Sequence, residues 1–295
     1  MKNAPNPHWL ETRWEITHED TETFQQKLEQ FGSLGSYQMF PLDEDTPQIS
    51  PEFIAYFPDK SDINALAQKL QTLENQEVSL VTIKRIPMES WATEWKKHFK
   101  PFTLAYNIVI RPSWEPYTQK INETVLTLDP GMAFGTGQHD TTRFCVEYIH
   151  ELKQQNTSLN TLIDVGCGSG ILAILAKLIG FDNVIGIEVD AEAIETASEN
   201  LERNPQAKDI LFCLNKGPLN NLNLNPAQVV VANIIAETLC ELKNDLLALM
   251  NEGGFLILSG ILPERKELIE EVFSDLELVN KKQSENWYAY LYRKK

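Results

Sequence analysis

The sequence predicts an α/β protein in two parts: a small α+β module, then a doubly wound, mostly parallel sheet that ends in an antiparallel edge hairpin. Three observations carry that prediction. The run Leu162, Ile163, Asp164, Val165 breaks into glycines at alternate positions, Gly166, Gly168 and Gly170, and then into the apolar segment ILAILAKL. That is a strand, a tight turn and a helix start. From residue 140 onward, short apolar runs alternate with segments of helical period, which implies parallel strands with helices on both faces. The first 85 residues follow a different order.

Taken from the start, residues 10–17 put Leu10, Thr12, Trp14 and Ile16 on one face, as a half-buried strand does. Phe24, Leu28 and Phe31 recur at helical spacing, and Gly32 follows as a stop signal. A run at 37–40, an acidic turn at 43–45 and the stretch PEFIAYFP supply two more strands. Ile63, Leu66, Leu70 and Leu73 share one face of a helix over 62–73, and residues 78–84 are β-branched and extended. The order β-α-β-β-α-β is the ferredoxin-like split motif. Residues 1–86 hold no catalytic constellation and read as a recognition module.

Residues 88–99, MESWATEWKKHF, repeat Trp91, Trp95 and Phe99 four apart, which predicts a linker helix within 87–100 whose aromatic stripe packs on a neighbour. Pro101 ends it, and residues 101–128 form a β extension of two or three strands around the PSW turn. Residues 129–142, DPGMAFGTGQHDTT, collect glycines and hydroxyls in a loop that leads into a helix over 140–152, with Asp140 or Thr141 as its cap.

The run NVIGIEVD at 183–190 is a second buried strand that ends in Glu188 and Asp190, about 20 residues past the glycine turn, where a nucleotide-binding α/β unit places its ribose acid. A helix over 191–203 and a strand over 210–214 follow, then the buried strand 226–233 with polar Asn233 at its end. A helix over 237–250 stops at Gly253 and Gly254. Strand 255–259, helix 263–273 and a strand pair at 276–279 and 287–292 close the chain. In such sheets ligands bind outside the carboxyl ends of the strands near the topological switch, where Asp164, Glu188 and Asn233 converge.

The dinucleotide pattern G-x-G-x-x-G fails by register, because Ile171 stands where its third glycine belongs. The spacing G-x-G-x-G fits the first motif of S-adenosylmethionine-dependent methyltransferases better. A net charge of −16 over 295 residues argues against binding a phosphate backbone, which needs clustered Lys and Arg. It suits a basic protein partner, and it also serves solubility. No apolar run approaches the ~20 residues of a membrane helix, and the N-terminus lacks an apolar signal core, so a soluble cytoplasmic protein is expected. Cys145, Cys167, Cys213 and Cys240 are scattered, without metal-ligand or disulfide spacing, and Cys167 reads as a small turn residue rather than a catalytic thiol.

With VGCGSGILAI and VVVANI, the 129–142 stretch resembles the ribosomal protein L11 methyltransferase family. The likeness runs from WKKHFKPF and RPSW to SGIL and ENWYAY; the N-terminal third is similar only in layout. The resemblance implies a ferredoxin-like substrate-recognition domain, a linker and a class I methyltransferase domain over 101–295 with a Rossmann-like sheet. It places Thr142, Gly166, Glu188 and Asn233 at S-adenosylmethionine, with Asp164, Gly168 and Gly170 completing the turn and Phe134, Gly135, Thr136 and Gly137 covering the donor. No metal is implied. Glu188 can accept both ribose hydroxyls, and the Asn233 amide carbonyl can orient an incoming amine. His139 either relays a proton or holds the loop.

The implied reaction is trimethylation of lysine side chains and of the N-terminal α-amine of ribosomal protein L11. Three departures stand out: Glu188 where the family usually has Asp, His139-Asp140 where it has His-Pro, and IAETL after Ile234. A lysine methyltransferase of a non-ribosomal protein and a silent binding or assembly factor are the alternatives.

Overall fold

The alternation of Leu10, Trp14 and Ile16 builds strand β1 (His8–Ile16), which pairs antiparallel with β3 (Glu52–Pro58) on one side and β4 (Val78–Pro87) on the other. Strand β2 (Gly35–Met39) adds to β3, giving the order β2-β3-β1-β4. This is the split β-α-β ladder, with helix α1 (Ile63–Gln71) between β3 and β4. Its core joins Leu10, Trp14, Phe53 and Phe57 to Leu66 and Leu70, with Phe24 edge-on to Trp14 at 5.0 Å. Buried Thr12 donates its hydroxyl to the Ala55 carbonyl and accepts from the Trp14 indole N–H at 2.9 Å, so the polar atom costs nothing unpaired.

The computed structural model describes residues 8–16, 24, 27–28, 31–33, 35–39, 52–58, 63–75, 77–87, 100–129 and 139–295, and the chain divides into two units, Met1–Phe99 and Lys100–Lys295. The linker helix expected at 88–99 lies outside the described residues.

The second unit opens with a three-stranded sheet of β5 (Phe102–Ala105), β6 (Ile108–Arg111) and β7 (Thr124–Thr127), in which β6 and β7 are parallel. Helix α2 (Asp140–Gln155) leads into β8 (Thr161–Val165), α3 (Ile171–Leu178), β9 (Asn183–Glu188), α4 (Ala191–Glu202) and β10 (Ile210–Leu214). Strand β11 (Ala227–Asn233), helices α5 (Ala236–Glu241) and α6 (Lys243–Ala248), and β12 (Met250–Ile261) follow. Helix α7 (Lys266–Val272) and the pair β13 (Glu277–Gln283) and β14 (Tyr288–Arg293) complete it.

The seven strands lie in the order β10-β9-β8-β11-β12-β14-β13, the first five parallel and β14 antiparallel between β12 and β13. Strands covered on both faces must be apolar throughout, and Val229, Val230, Val231 and Ala232 of β11 are fully buried. The chain reverses its winding between β8 and β11, which opens a crevice at their carboxyl ends.

Two expectations are corrected. The helix expected over 237–250 is two short helices, because Leu242 leaves helical geometry (φ −85°, ψ 1°); the bend lets Leu239 and Leu246 both reach the core. The segment 263–273 begins as a 3-10 turn at Pro263–Arg265 before α7 starts.

At the end of α4, two asparagines fasten the small sheet to the large one. Asn204 accepts from the Thr127 N–H at 2.9 Å and donates to the Thr127 carbonyl at 2.7 Å, while Asn200 accepts from the Asp129 N–H and donates to the Ser169 carbonyl. Both side chains are buried, so Asn204→Ala strips partners from three buried backbone groups, the Thr127 N–H and carbonyl and the Asn200 carbonyl. We expect it to lower the unfolding free energy by about 2–4 kcal/mol, read as a lower urea midpoint at unchanged m-value.

Candidate functional site

The turn after β8 is built from glycines because its backbone enters the left-handed region three times, with φ of +74° at Gly166, +50° at Gly168 and +78° at Gly170. The Gly166 and Cys167 amides donate to the Ile187 carbonyl at 2.8 and 3.1 Å, folding the turn over the end of β9. Gly166 also lies against β11's continuation: a Cβ there would stand 2.5 Å from Ile234 Cγ2. The turn thus presents bare main chain to the crevice.

Glu188 ends β9 with its carboxylate gathered in by backbone. Oε2 accepts from the Gly168 N–H at 2.9 Å, and Oε1 accepts from Val189 and Asp190 at 2.7 and 3.2 Å. Oε1 is saturated and Oε2 keeps one lone pair, so an incoming hydroxyl donor meets Oε2 first; engaging a second donor requires an amide to let go.

Asn233 ends β11. Its Nδ2 donates to the Thr142 hydroxyl at 3.5 Å, and its buried Oδ1 has no hydrogen-bond partner. Thr142 is fully buried on α2, one residue past Thr141, whose carbonyl accepts from the buried Ser259 hydroxyl at 3.1 Å. Helix α2 is thereby pinned to the ends of both β11 and β12.

The cap of α2 is His139, not Asp140 or Thr141. Its backbone is still extended (φ −82°, ψ 140°) and its Nδ1 accepts from the Thr141 N–H, while Asp140 pairs with Arg143 at 2.7 Å. The His139 ring meets Trp287 edge-on at 4.9 Å. Its Nδ1 is occupied with capping.

Asp164 sits beneath the turn with no exposure. Its Oδ2 accepts from the Ala173 N–H, in the first turn of α3, at 3.2 Å, and Oδ1 has no partner. Burial, with the Glu188 carboxylate adding to it, pushes its carboxyl up to about 7. Burial likewise raises the Cys145 and Cys167 thiols, which leaves both as inert packing groups.

Asp164, Gly166, Gly168, Gly170, Glu188, Asn233 and Thr142 therefore meet at one end of the large sheet. Phe134, Gly135, Thr136 and Gly137 lie outside the described residues. Sequence reasoning missed Gly186, Asn200, Asn204 and Ser259. A Cβ on Gly186 would stand 2.6 Å from the Phe212 ring and 3.0 Å from Cys167 Sγ, so that glycine keeps β9 and β10 close behind the turn. A glycine inside an apolar strand was the available signal.

The family model described as ribosomal protein L11 methyltransferase matches residues 8–295. Among named relatives, a ribosomal protein L11 methyltransferase of Geobacter sp. (strain M21) is 34% identical, covering 97% of this chain and 98% of its own. One from Clostridium botulinum (strain Eklund 17B / Type B) is 40% identical over 73% of this chain and 69% of its own. The solved structure of a ribosomal protein L11 methylase from Lactobacillus delbrueckii subsp. bulgaricus is 31% identical with a TM-score of 0.58, covering 67% of this chain and all of that one.

Proposed function

Since the chain belongs to the ribosomal protein L11 methyltransferase family, we propose that it transfers methyl groups from S-adenosylmethionine to ribosomal protein L11, trimethylating lysine side chains and the N-terminal α-amine. The observation that carries this reading is the meeting, at the ends of β8, β9 and β11, of a left-handed glycine turn, an amide-held carboxylate and an amide oxygen with no partner. The fit to the donor is chemical: bare main chain for its amino-acid part, Glu188 for ribose, and Asn233 Oδ1 facing the place of reaction.

S-adenosylmethionine, when bound, supplies a methyl group already activated on a sulfonium. What remains for the protein is positioning and desolvation. A lysine near pKa 10.4 must lose its proton before it attacks, and a carboxylate beside it would oppose that loss. Asn233 offers a neutral acceptor that holds an amine N–H and stabilises the ammonium far less than a carboxylate would. Thr142 fixes the Asn233 amide, and Ser259 fixes the helix that carries Thr142.

Residues 1–86 serve as the substrate-recognition module and 87–100 as the linker. The protein works in the cytoplasm on a basic protein partner, in keeping with its charge of −16. Among the described residues, no helix is long and apolar enough to cross a membrane.

The test is mass spectrometry of purified ribosomal protein L11 incubated with the chain and S-adenosylmethionine. Gain of three methyl masses on lysines and on the N-terminus is expected. A single labelled non-ribosomal band in extract, with L11 unmodified, overturns the substrate. Glu188→Ala is expected to weaken donor binding about 10- to 100-fold by calorimetry, the worth of one or two charge-assisted hydrogen bonds.

A further inference from the structure

Asp164 is the one site acid that the proposed transfer leaves idle. Its environment is lopsided. Glu188, the neighbouring acid, holds three backbone N–H groups, whereas Asp164, with no solvent contact, holds one N–H on Oδ2 and nothing on Oδ1. A carboxylate so buried and so poorly solvated favours its neutral form. Of the groups around it, the Glu188 carboxylate from β9 pushes the same way, while the Cys167 thiol of the turn and the Cys145 thiol of α2, the latter hydrogen-bonded to Ser259, are uncharged. Strand β11 pairs apolar Val231 against it, and α3 offers the single Ala173 N–H. The Ala173 N–H pulls the other way, and among the described residues no cation adds to it.

A missing positive charge is what the methyl donor brings. At pH 6 the donor carries an ammonium, a carboxylate and a sulfonium, net +1; the product S-adenosylhomocysteine has lost the sulfonium charge. Asp164 directly precedes, within two residues, the glycine turn against which the donor's amino-acid part lies. Resting on the donor-site reading above, we propose that Asp164 is the site's charge sensor: it is neutral in the empty protein, gives its proton to solvent when the cationic donor binds, and takes one back when the neutral product remains. The ionised carboxylate then favours donor over product, so the site distinguishes the two by a single charge. The elevation of the Asp164 carboxyl to about 7 places this exchange in the physiological range.

Calorimetry at pH 6.0, below the pKa of the donor's α-amine (near 7.7–8.0), tests it in two buffers of different ionisation enthalpy. Close to one proton released per donor bound is expected, and distinctly less for the product. The ratio of donor to product affinity should rise at least threefold from pH 5.5 to 7.5 in the wild-type protein. Asp164→Asn, which keeps an acceptor for Ala173, should bind donor with no proton release and a flat ratio. Donor binding without proton release, equal release for donor and product, or release that persists in Asp164→Asn each overturns the inference while leaving the donor site standing. Absence of any binding heat at millimolar donor overturns the donor site and the inference together.

Thermal melts of the donor-free protein give a second readout. The folded chain holds the Asp164 proton more tightly than the unfolded chain, so wild type should lose stability relative to Asp164→Asn as pH rises from about 4 to about 7 and hold a constant difference above that. No relative change across that interval overturns the neutral resting state.

Discussion

Asn233→Ala should lower the single-turnover methylation rate about 100-fold, with a much smaller change in donor affinity. The side chain makes one long hydrogen bond, to Thr142, so little structural stability is lost with it. What disappears is the buried acceptor Oδ1, which no other group satisfies. One preorganised hydrogen bond at a reacting centre is worth about 10²- to 10³-fold in rate. Asn233→Asp separates positioning from charge: an ionised carboxylate holds the amine as ammonium, so its rate should recover only as pH is raised, whereas Asn233→Ala should be slow at every pH. A rate within a few-fold of wild type for Asn233→Ala would remove Asn233 from the reaction.

Gly166→Ala should destabilise the protein by about 2–4 kcal/mol and abolish measurable donor binding. Two costs add. A φ of +74° is strained for any residue with a Cβ, at about 1–2 kcal/mol. The new methyl also collides at 2.5 Å with Ile234 Cγ2, a methyl on a β-branched carbon whose χ1 is stiff, so the side chain must shift to make room. The pairing makes a double-mutant cycle informative, because Ile234→Ala removes the struck methyl and leaves only the backbone strain. The double mutant should regain more than 1 kcal/mol over the sum of the single effects, measured by urea unfolding; strict additivity would show that the two residues do not press on each other.

The legible parts of the chain were those where one physical requirement dominates. Strands β8, β9 and β11 are buried on both faces and had to be continuous apolar runs, so their place, and with them Asp164, Glu188 and Asn233 at their ends, could be read directly. The glycines at 166, 168 and 170 were legible because their alternate spacing marks a turn. Where a residue answers to tertiary context, the reading stopped. Leu242 looks like any helical leucine, yet it is where the expected helix divides. His139 is an uncommon cap and Asp140 a common one, yet His139 keeps an extended backbone and stands at the boundary. Asn200 and Asn204 look like solvent-facing positions of a polar helix; their partners Thr127 and Asp129 lie some 70 residues away, and no local pattern records that.

The position of β11 has a consequence for how the protein acquires its site. Strands β8 and β9 are neighbours in sequence and can zip together early, but β8's other partner arrives only after more than 60 further residues have been laid down, so the pairing that sets Ile234 against Gly166 is a long-range one. Contacts of high sequence separation form late, because the closure entropy of the intervening chain comes first. Without the β8–β11 pairing, the strand–turn–helix signature lacks the wall that completes it. Affinity for the methyl donor is therefore a property of the finished sheet rather than of the motif by which the sequence announces it.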